Sequence, residues 1–259
     1  MMLHKRPSPG LTLIFLLILS SLILVFCNEV LAQDDRWNIS LETGAVWQDR
    51  NEVQIPGDTG TRFLLDELAG KGPFVFYRLE MLFNAAPRHQ IRLLIAPFRY
   101  TESGVLEKDV FFVDQTFTAS QNTEATYKFN SYRATYRYLF HRGSQWRWWA
   151  GATVKIRDAE IGLRQSTVFA RDSNVGVVPL INLYGNFQFA DKWSFIFDLD
   201  GLVGPQGRAL DLGLKIIYDI TGHWYVGAGY RTLEGGADND EVFNFAWFNY
   251  AIVTVGNKF

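Results

Sequence analysis

Thiols and imidazoles are scarce in this sequence: its 259 residues include one cysteine, Cys27, and four histidines. Cys27 lies in the apolar N-terminal stretch, so a chain trimmed behind that stretch carries no cysteine. That excludes disulfide stapling, thiol catalysis and cysteine metal sites. A basic surplus is also missing. Lysine and arginine number 25 against 27 aspartates and glutamates, a net charge of −2, which is the wrong balance for a nucleic-acid partner. Beyond Phe26 no run of roughly 20 apolar residues occurs, so the body of the chain has no membrane-spanning helix.

What is present pulls toward a membrane all the same. Aromatics make up 15% and charged residues 20% of the chain, and the 22 glycines are spread along it. That mixture fits strands that are apolar on one face only.

The first 32 residues have the layout of a secretory leader: His4, Lys5 and Arg6, then the apolar core Leu11 to Phe26, then Val30-Leu31-Ala32 before Gln33. Phe26 stands where lipoprotein processing needs a small residue, so Cys27 is expected to leave with the leader. The expected organisation is a removed leader over 1–32 and a single domain over 33–259.

From Arg36 onward the apolar signal has period two and recurs about ten times. Trp37, Ile39, Leu41, Ala45 and Trp47 alternate with Asn38, Ser40, Glu42 and Gly44. The scheme repeats at Phe74 to Asn84, around Ile91 to Ile95, at Tyr127 to Phe140, Trp146 to Arg157, Val177 to Phe189, Trp193 to Val203, Leu210 to Ile220, Trp224 to Arg231 and Phe243 to Phe259. On the apolar faces Arg99 is the lone charge. A lysine or arginine facing lipid at mid-bilayer costs about 2–4 kcal/mol, so this one-sidedness identifies the solvent on that side as lipid. Short turns at Ala85 to Pro87, Arg142 to Ser144, Ala190 to Lys192 and Thr221 to His223 alternate with longer connections at Gln48 to Pro73, Thr101 to Thr126, Asp158 to Gly176 and Leu233 to Val242; only Gly204 to Arg208 is brief. Val110 to Phe117 and Ala125 to Phe129 suggest a β-ribbon projecting above the membrane. Trp37, Trp146, Trp193 and Trp224 open strands beside the short turns and Phe83, Phe140, Phe189 and Phe259 close them, forming one interfacial girdle; Trp47, Tyr77, Tyr132, Tyr230 and Trp247 form the other.

The last stretch, FNFAWFNYAIVTVGNKF, places Phe259, Val255, Val253, Ala251 and Trp247 on one face and Thr254, Tyr250 and Asn244 on the other. It resembles the closing strand of small bacterial outer-membrane β-barrels. The resemblance implies a transmembrane, antiparallel, up-and-down all-β barrel of about ten strands (range about 8–12) in the outer membrane. It also implies outer-membrane lipid, lipopolysaccharide and the barrel-assembly machinery as partners, with Phe259 as the residue read during assembly. The rival is a soluble lipocalin-like barrel or sandwich.

Inward of such a wall lie Glu42, Glu80, Asp198, Asp200, Asp211 and Asp219, together with Arg78, Arg92, Arg133, Arg137, Arg147, Lys155, Arg157, Lys215 and Arg231. In a barrel of about ten strands the interior is narrow, so a lumen-filling network of ion pairs is expected. The alternative is a thin path for small anions, favoured by the basic excess. Asp198 and Asp200 share a face as a catalytic dyad would, but lumen arginines are their expected partners. His89, His141 and His223 fall in or beside the short turns, whereas barrel enzymes resembling acyl hydrolases or aspartyl-type surface proteases place a histidine near the outer rim. Asp238, Asp240 and Glu241 cluster in the last long connection as weak metal candidates whose spacing matches no calcium loop. The sequence thus predicts a non-enzymatic barrel without cofactor, serving envelope integrity or surface binding through its long connections. A narrow channel and a lipid-modifying or proteolytic enzyme are the other readings.

If Phe259 is the residue read during assembly, deleting it lowers the amount of protein in outer-membrane fractions while folding into detergent survives. Equal outer-membrane levels with and without Phe259 would count against that role.

Overall fold

The computed structural model describes residues 36–205 and 207–259; the leader expected over 1–32 lies outside them. The elements in chain order are β1 (Trp37–Gln54), β2 (Phe63–Leu64), α1 (Leu65–Leu68), β3 (Phe74–Ala86), β4 (His89–Ala96), β5 (Arg99–Val105), β6 (Val110–Phe112), β7 (Gln115–Phe117), β8 (Asn122–Arg142), β9 (Trp146–Gln165), β10 (Val168–Ala190), β11 (Trp193–Gly204), β12 (Gly207–Asp219), β13 (Trp224–Asp238) and β14 (Phe243–Lys258). Twelve strands form one sheet in which neighbours run antiparallel, and β14 returns to pair with β1. Since β2 adds two residues at the rim and β5 continues β4 along β8, the closed wall has ten staves. Pro97, which has no N–H to give the ladder, marks the break between β4 and β5.

The closing seam runs from Asn38↔Lys258 to Gln54↔Phe243, with a bulge between Gln48 and Arg50. At its foot Trp37 and Phe259 exchange both backbone hydrogen bonds, at 2.8 and 2.9 Å, so the ring closes on its last residue. Alternation sorts the side chains. Ile39, Leu41, Val75, Tyr77, Ile181 and Val253 face outward and are exposed, while their neighbours Ser40, Glu42, Phe76, Arg78, Asn182 and Thr254 are buried. An apolar outer wall of this extent is a surface made for lipid rather than water.

At the short-turn end the girdle residues pack as pairs. Trp37 lies 4.4 Å from Phe83, Trp146 4.5 Å from Phe187 and Trp193 4.8 Å from Tyr218, ring centre to ring centre. At the other end the wall departs from the sequence expectation. The ladder of β9 and β10 continues through Asp158 to Gly176 up to Gln165↔Val168, where Ser166 takes φ 52°, and β13 and β14 continue to Asp238↔Phe243. These stretches are strand, not loop. Past the lipid band both faces of a strand meet water or protein, so the one-sided pattern fades while the backbone ladder persists.

The ribbon expected to project also behaves differently. β6 and β7 do pair with each other, but Val110, Phe112 and Phe117 are fully buried. They turn into the barrel mouth beside Leu65 and Leu68 of α1 and the inward-facing Val46, Phe76, Tyr127, Leu163 and Phe248. The apolar faces of these short elements have no other core to join, and the mouth supplies one.

The seam depends on Gly44, which sits at φ 145° where an added Cβ would lie 2.1 Å from the Ala251 carbonyl oxygen. Gly44→Val should lower stability by about 2 kcal/mol or more, read as a shifted urea midpoint in detergent micelles. Gly222→Ala in a short turn, where nothing lies within 4 Å, should leave the midpoint unchanged. Equal midpoints for all three proteins would refute the seam argument.

Candidate functional site

Period-two alternation aims charged residues from seven staves into the middle of the lumen. Glu42 comes from β1, Arg78 from β3, Arg92 from β4, Arg133 and Arg137 from β8, Asp198 and Asp200 from β11, Asp211 and Lys215 from β12, and Arg231 from β13. All ten are buried. Their ion pairs reach across the barrel. Arg92 forks two carboxylates of one strand, with Nη1 2.7 Å from Asp198 Oδ2 and Nη2 2.6 Å from Asp200 Oδ2. Arg137 Nη2 takes the other oxygen of Asp198 at 2.7 Å, and its Nε donates to Asn182 at 2.7 Å.

Register sets up one repulsive contact that the network resolves. Asp200 and Asp211 are direct cross-strand partners, an unfavourable place for two like charges. Arg133 bridges them, with Nη1 2.8 Å from Asp200 and Nη2 2.6 Å from Asp211. The second oxygen of Asp200 accepts from Thr153 and Asn182, both at 2.8 Å, and that of Asp211 pairs with Arg231 at 2.5 Å. Glu42 gathers Lys215, Arg78 at 3.3 Å and Arg231 at 3.3 Å. Chemically this belt is a lock. Both oxygens of Asp198 and of Asp200 are engaged by donors, and the guanidiniums join walls far apart in sequence.

The remaining expected lumen residues lie around this cluster. Glu80 sits 3.8 Å from Arg92 at its edge. Lys155 is buried with its ammonium 4.7 Å over the Phe129 ring. Arg157 stands higher, donating to Asn174 at 2.6 Å. Arg147 is exposed at the short-turn rim, and Asp219 pairs with Lys258 there at 2.7 Å. Asp238, Asp240 and Glu241 are exposed at the β13–β14 tip, whose turn is held by Asn239 Oδ1 accepting from the Glu241 and Val242 amides. Among the described residues no group of three His, Cys, Asp or Glu side chains is placed to hold a metal. His89, His141 and His223 are all exposed at the short-turn end.

Above the belt lies a second storey that one-sided alternation does not reveal. Phe74 stacks on Tyr100 at 4.2 Å, Tyr100 on Tyr127 at 5.5 Å, and Phe98 meets Phe248 edge-on at 5.5 Å. The plug formed by residues 55–73 and 106–121 closes over them. Val113 and Ile55 share a backbone bond at 2.8 Å, as do Thr61 and Phe111 at 2.9 Å. Buried polar groups stitch plug to wall: Asp66 accepts the Asn51 amide at 2.8 Å, Gln48 donates to the Gly70 carbonyl at 2.5 Å, and Gln165 exchanges two 2.8 Å bonds with the Thr118 backbone. One signal could have found this storey. FVFY at 74–77 and FNFAWFNY at 243–250 are apolar or aromatic in both phases, so both sides of those strands meet protein or lipid.

No family model matches the chain, and no curated protein matches it in sequence. Solved structures do resemble it. The outer membrane protease OmpT from Escherichia coli superposes with TM-score 0.52 at 9% identity, over 89% of this chain and 99% of that one. Ail, the attachment invasion locus protein of Yersinia pestis, gives 0.41 at 11% over 86% and 99%, and Neisserial surface protein A gives 0.38 at 12% over 88% and 100%. The chain has the fold of the small bacterial outer-membrane β-barrel proteins.

Proposed function

We propose that this chain is a sealed, non-enzymatic outer-membrane barrel that supports the envelope and presents its tall strands and plug outside the cell, short turns facing the periplasm. The observation that carries this reading is the doubly blocked lumen: a cross-wall ion-pair belt at mid-height and an apolar plug in the mouth. An aqueous path would need charged groups left free to solvate a passing solute, and the belt's carboxylates and guanidiniums are paired with one another. Catalysis by acid and base would need a carboxylate or imidazole free to exchange protons, and the belt carboxylates are each held by two or more cations. OmpT is a protease, but likeness at 9% identity carries the fold and not the chemistry.

The test is planar-bilayer recording of the refolded full chain. A flat baseline is expected, and sustained discrete openings would overturn the sealed reading. The belt's structural role has its own test. Arg92→Ala leaves Asp198 and Asp200 short of a partner and should cost about 3–5 kcal/mol in urea unfolding, as breaking a buried ion pair does. Arg147→Ala at the rim should shift the midpoint by no more than about 0.5 kcal/mol. Equal shifts for the two variants would remove the belt from the account.

A further inference from the structure

Arg99, in phase with the lipid-facing Ile95, belongs to a cluster of charges on the outer wall. Above the lipid band β5, β8, β9 and β10 form a projecting four-stranded sheet. On its outward face, registers Arg99↔Lys128↔Glu160 and Thr101↔Thr126↔Gly162↔Arg171 bring residues of all four strands together, with Arg164 beside Phe169 in the next row. Except for Lys128, these residues line a groove of about 270 Å³ together with Glu124, with Gly162 on its floor.

Three guanidiniums converge on that groove while keeping donors free. Arg99, Arg164 and Arg171 are each about half exposed, at 55%, 54% and 51%. Their carboxylate neighbours stand at 3.4, 3.6 and 3.8 Å, too far for strong hydrogen bonds. Glu160, only 10% exposed, lies beneath and orients Arg99 and Arg171 from below, while Phe169 supports Arg164 with its ring 4.6 Å from the guanidinium carbon. Thr101 and Thr126 add two hydroxyls, 2.9 Å apart. Three forked guanidiniums and two hydroxyls outnumber the two lining carboxylates, Glu124 and Glu160, and the floor between them is bare, so the set matches a tetrahedral oxyanion.

The height of the groove selects the source of the anion. Tyr132, Ile156 and Val177 form the outermost apolar row on these staves, and Lys128 and Glu160 lie four residues farther along the same strands. At about 3.3 Å per residue and a tilt near 40°, that puts the groove's lowest row roughly 10 Å above the lipid edge, with the rows of Gly162 and Arg164 about 5 and 10 Å higher. From that lowest row the Arg99 stem can reach back to the headgroup layer, while Arg171 and Arg164 stand above it to meet groups that project from the lipid. Lipid packs directly beneath the groove, on the same outward face.

We propose that this groove binds the phosphate of a phosphorylated lipid in the outer leaflet, an inference that rests on the outer-membrane reading above. The test uses the full chain refolded in nonionic micelles and titrated with lipid A bearing both phosphates, with lipid A stripped of them, and with inorganic phosphate, binding being read by native mass spectrometry. The phosphorylated lipid should bind at least about tenfold more tightly than the stripped lipid. The triple variant R99A/R164A/R171A should lose that advantage while retaining the compact gel mobility of a folded barrel. Should the triple variant not fold, Gly162→Glu, whose Cβ meets nothing closer than 3.7 Å, places a carboxylate on the floor and should abolish the preference as well. Equal binding of both lipids, or full binding by the folded variants, would overturn the proposal. Saturable binding of inorganic phosphate without preference for the lipid would overturn the lipid assignment. If the native chain is absent from outer-membrane fractions, the functional reading falls and takes this inference with it; normal insertion with no phosphate dependence sinks this inference alone.

Discussion

Lipid offers no hydrogen bonds, so each backbone amide and carbonyl within the bilayer must find its partner in the chain itself. For strands the only solution is a ring without edges, and the β1–β14 seam is where this ring is completed. Closure then dictates the rest. A pleated wall sends alternate side chains outward to lipid and inward to a confined space, so Leu41 and Glu42, adjacent in sequence, meet opposite solvents. The outer set can only be apolar. The inner set must fill a narrow volume and satisfy whatever polarity it brings.

Two ways of filling the lumen are used at two heights. At mid-height the filling is ionic, and its geometry matters more than its charge count, because six cations face four carboxylates in the central cluster. Burying charge is costly unless each ion is paired and its remaining donors are occupied. Here the forked guanidiniums pair by spanning staves, with only the Nε of Arg78 and of Arg231 left without a hydrogen bond among the cluster's buried donors: Arg92 holds β4 to β11, Arg133 holds β8 to β11 and β12, and Arg231 holds β13 to β12 and β1. Hydrogen bonds between neighbouring strands fix the wall, whereas these contacts fix its cross-section. Nearer the mouth the filling is aromatic, and it comes from the plug as well as from the wall. Apolar contact is non-directional, so a connection of irregular shape can supply it, which the belt's exact donor placement does not permit.

How much of this was legible follows from where a single physical rule governs. Between the two girdles each stave has lipid on one face and lumen on the other, and the pattern Tyr132, Arg133, Ala134, Thr135, Tyr136, Arg137 reads directly as out and in. Stave number, short turns and inward charges all follow from that contrast. Which charges meet was not legible, because Arg133 finds Asp211 across the lumen through ring closure and strand stagger, neither of which leaves a mark at either residue. Nor was the plug. Val110, Phe112 and Phe117 show the same alternation as a wall strand, and only the tertiary structure distinguishes a ribbon standing free from one folded into the mouth. Arg147 and Asp219 share the inward phase but lie so near the short-turn rim that water and Lys258 replace the belt as their surroundings.

The wall's uneven height follows from one residue. Pairing of β10 with β11 stops at Ile181↔Gly201, and Pro179, lacking an N–H, stands where the next rungs would form. β11 and β12 then meet in a low hairpin at Gly204 and Gly207, while β9 and β10 continue upward to Gln165 and Val168. The edge of β10 left bare above Pro179 would invite pairing with another chain if it were flat and apolar. Arg171, Asp172 and Asn174 along it are polar or charged, which is how exposed edges are kept from aggregating. The same asymmetry lifts β5, β8, β9 and β10 clear of the lipid as a sheet with an open outward face. On that face an arginine no longer carries the cost it would have lower on the same strands, which is why Arg99 can lie in phase with Ile95 and still face outward.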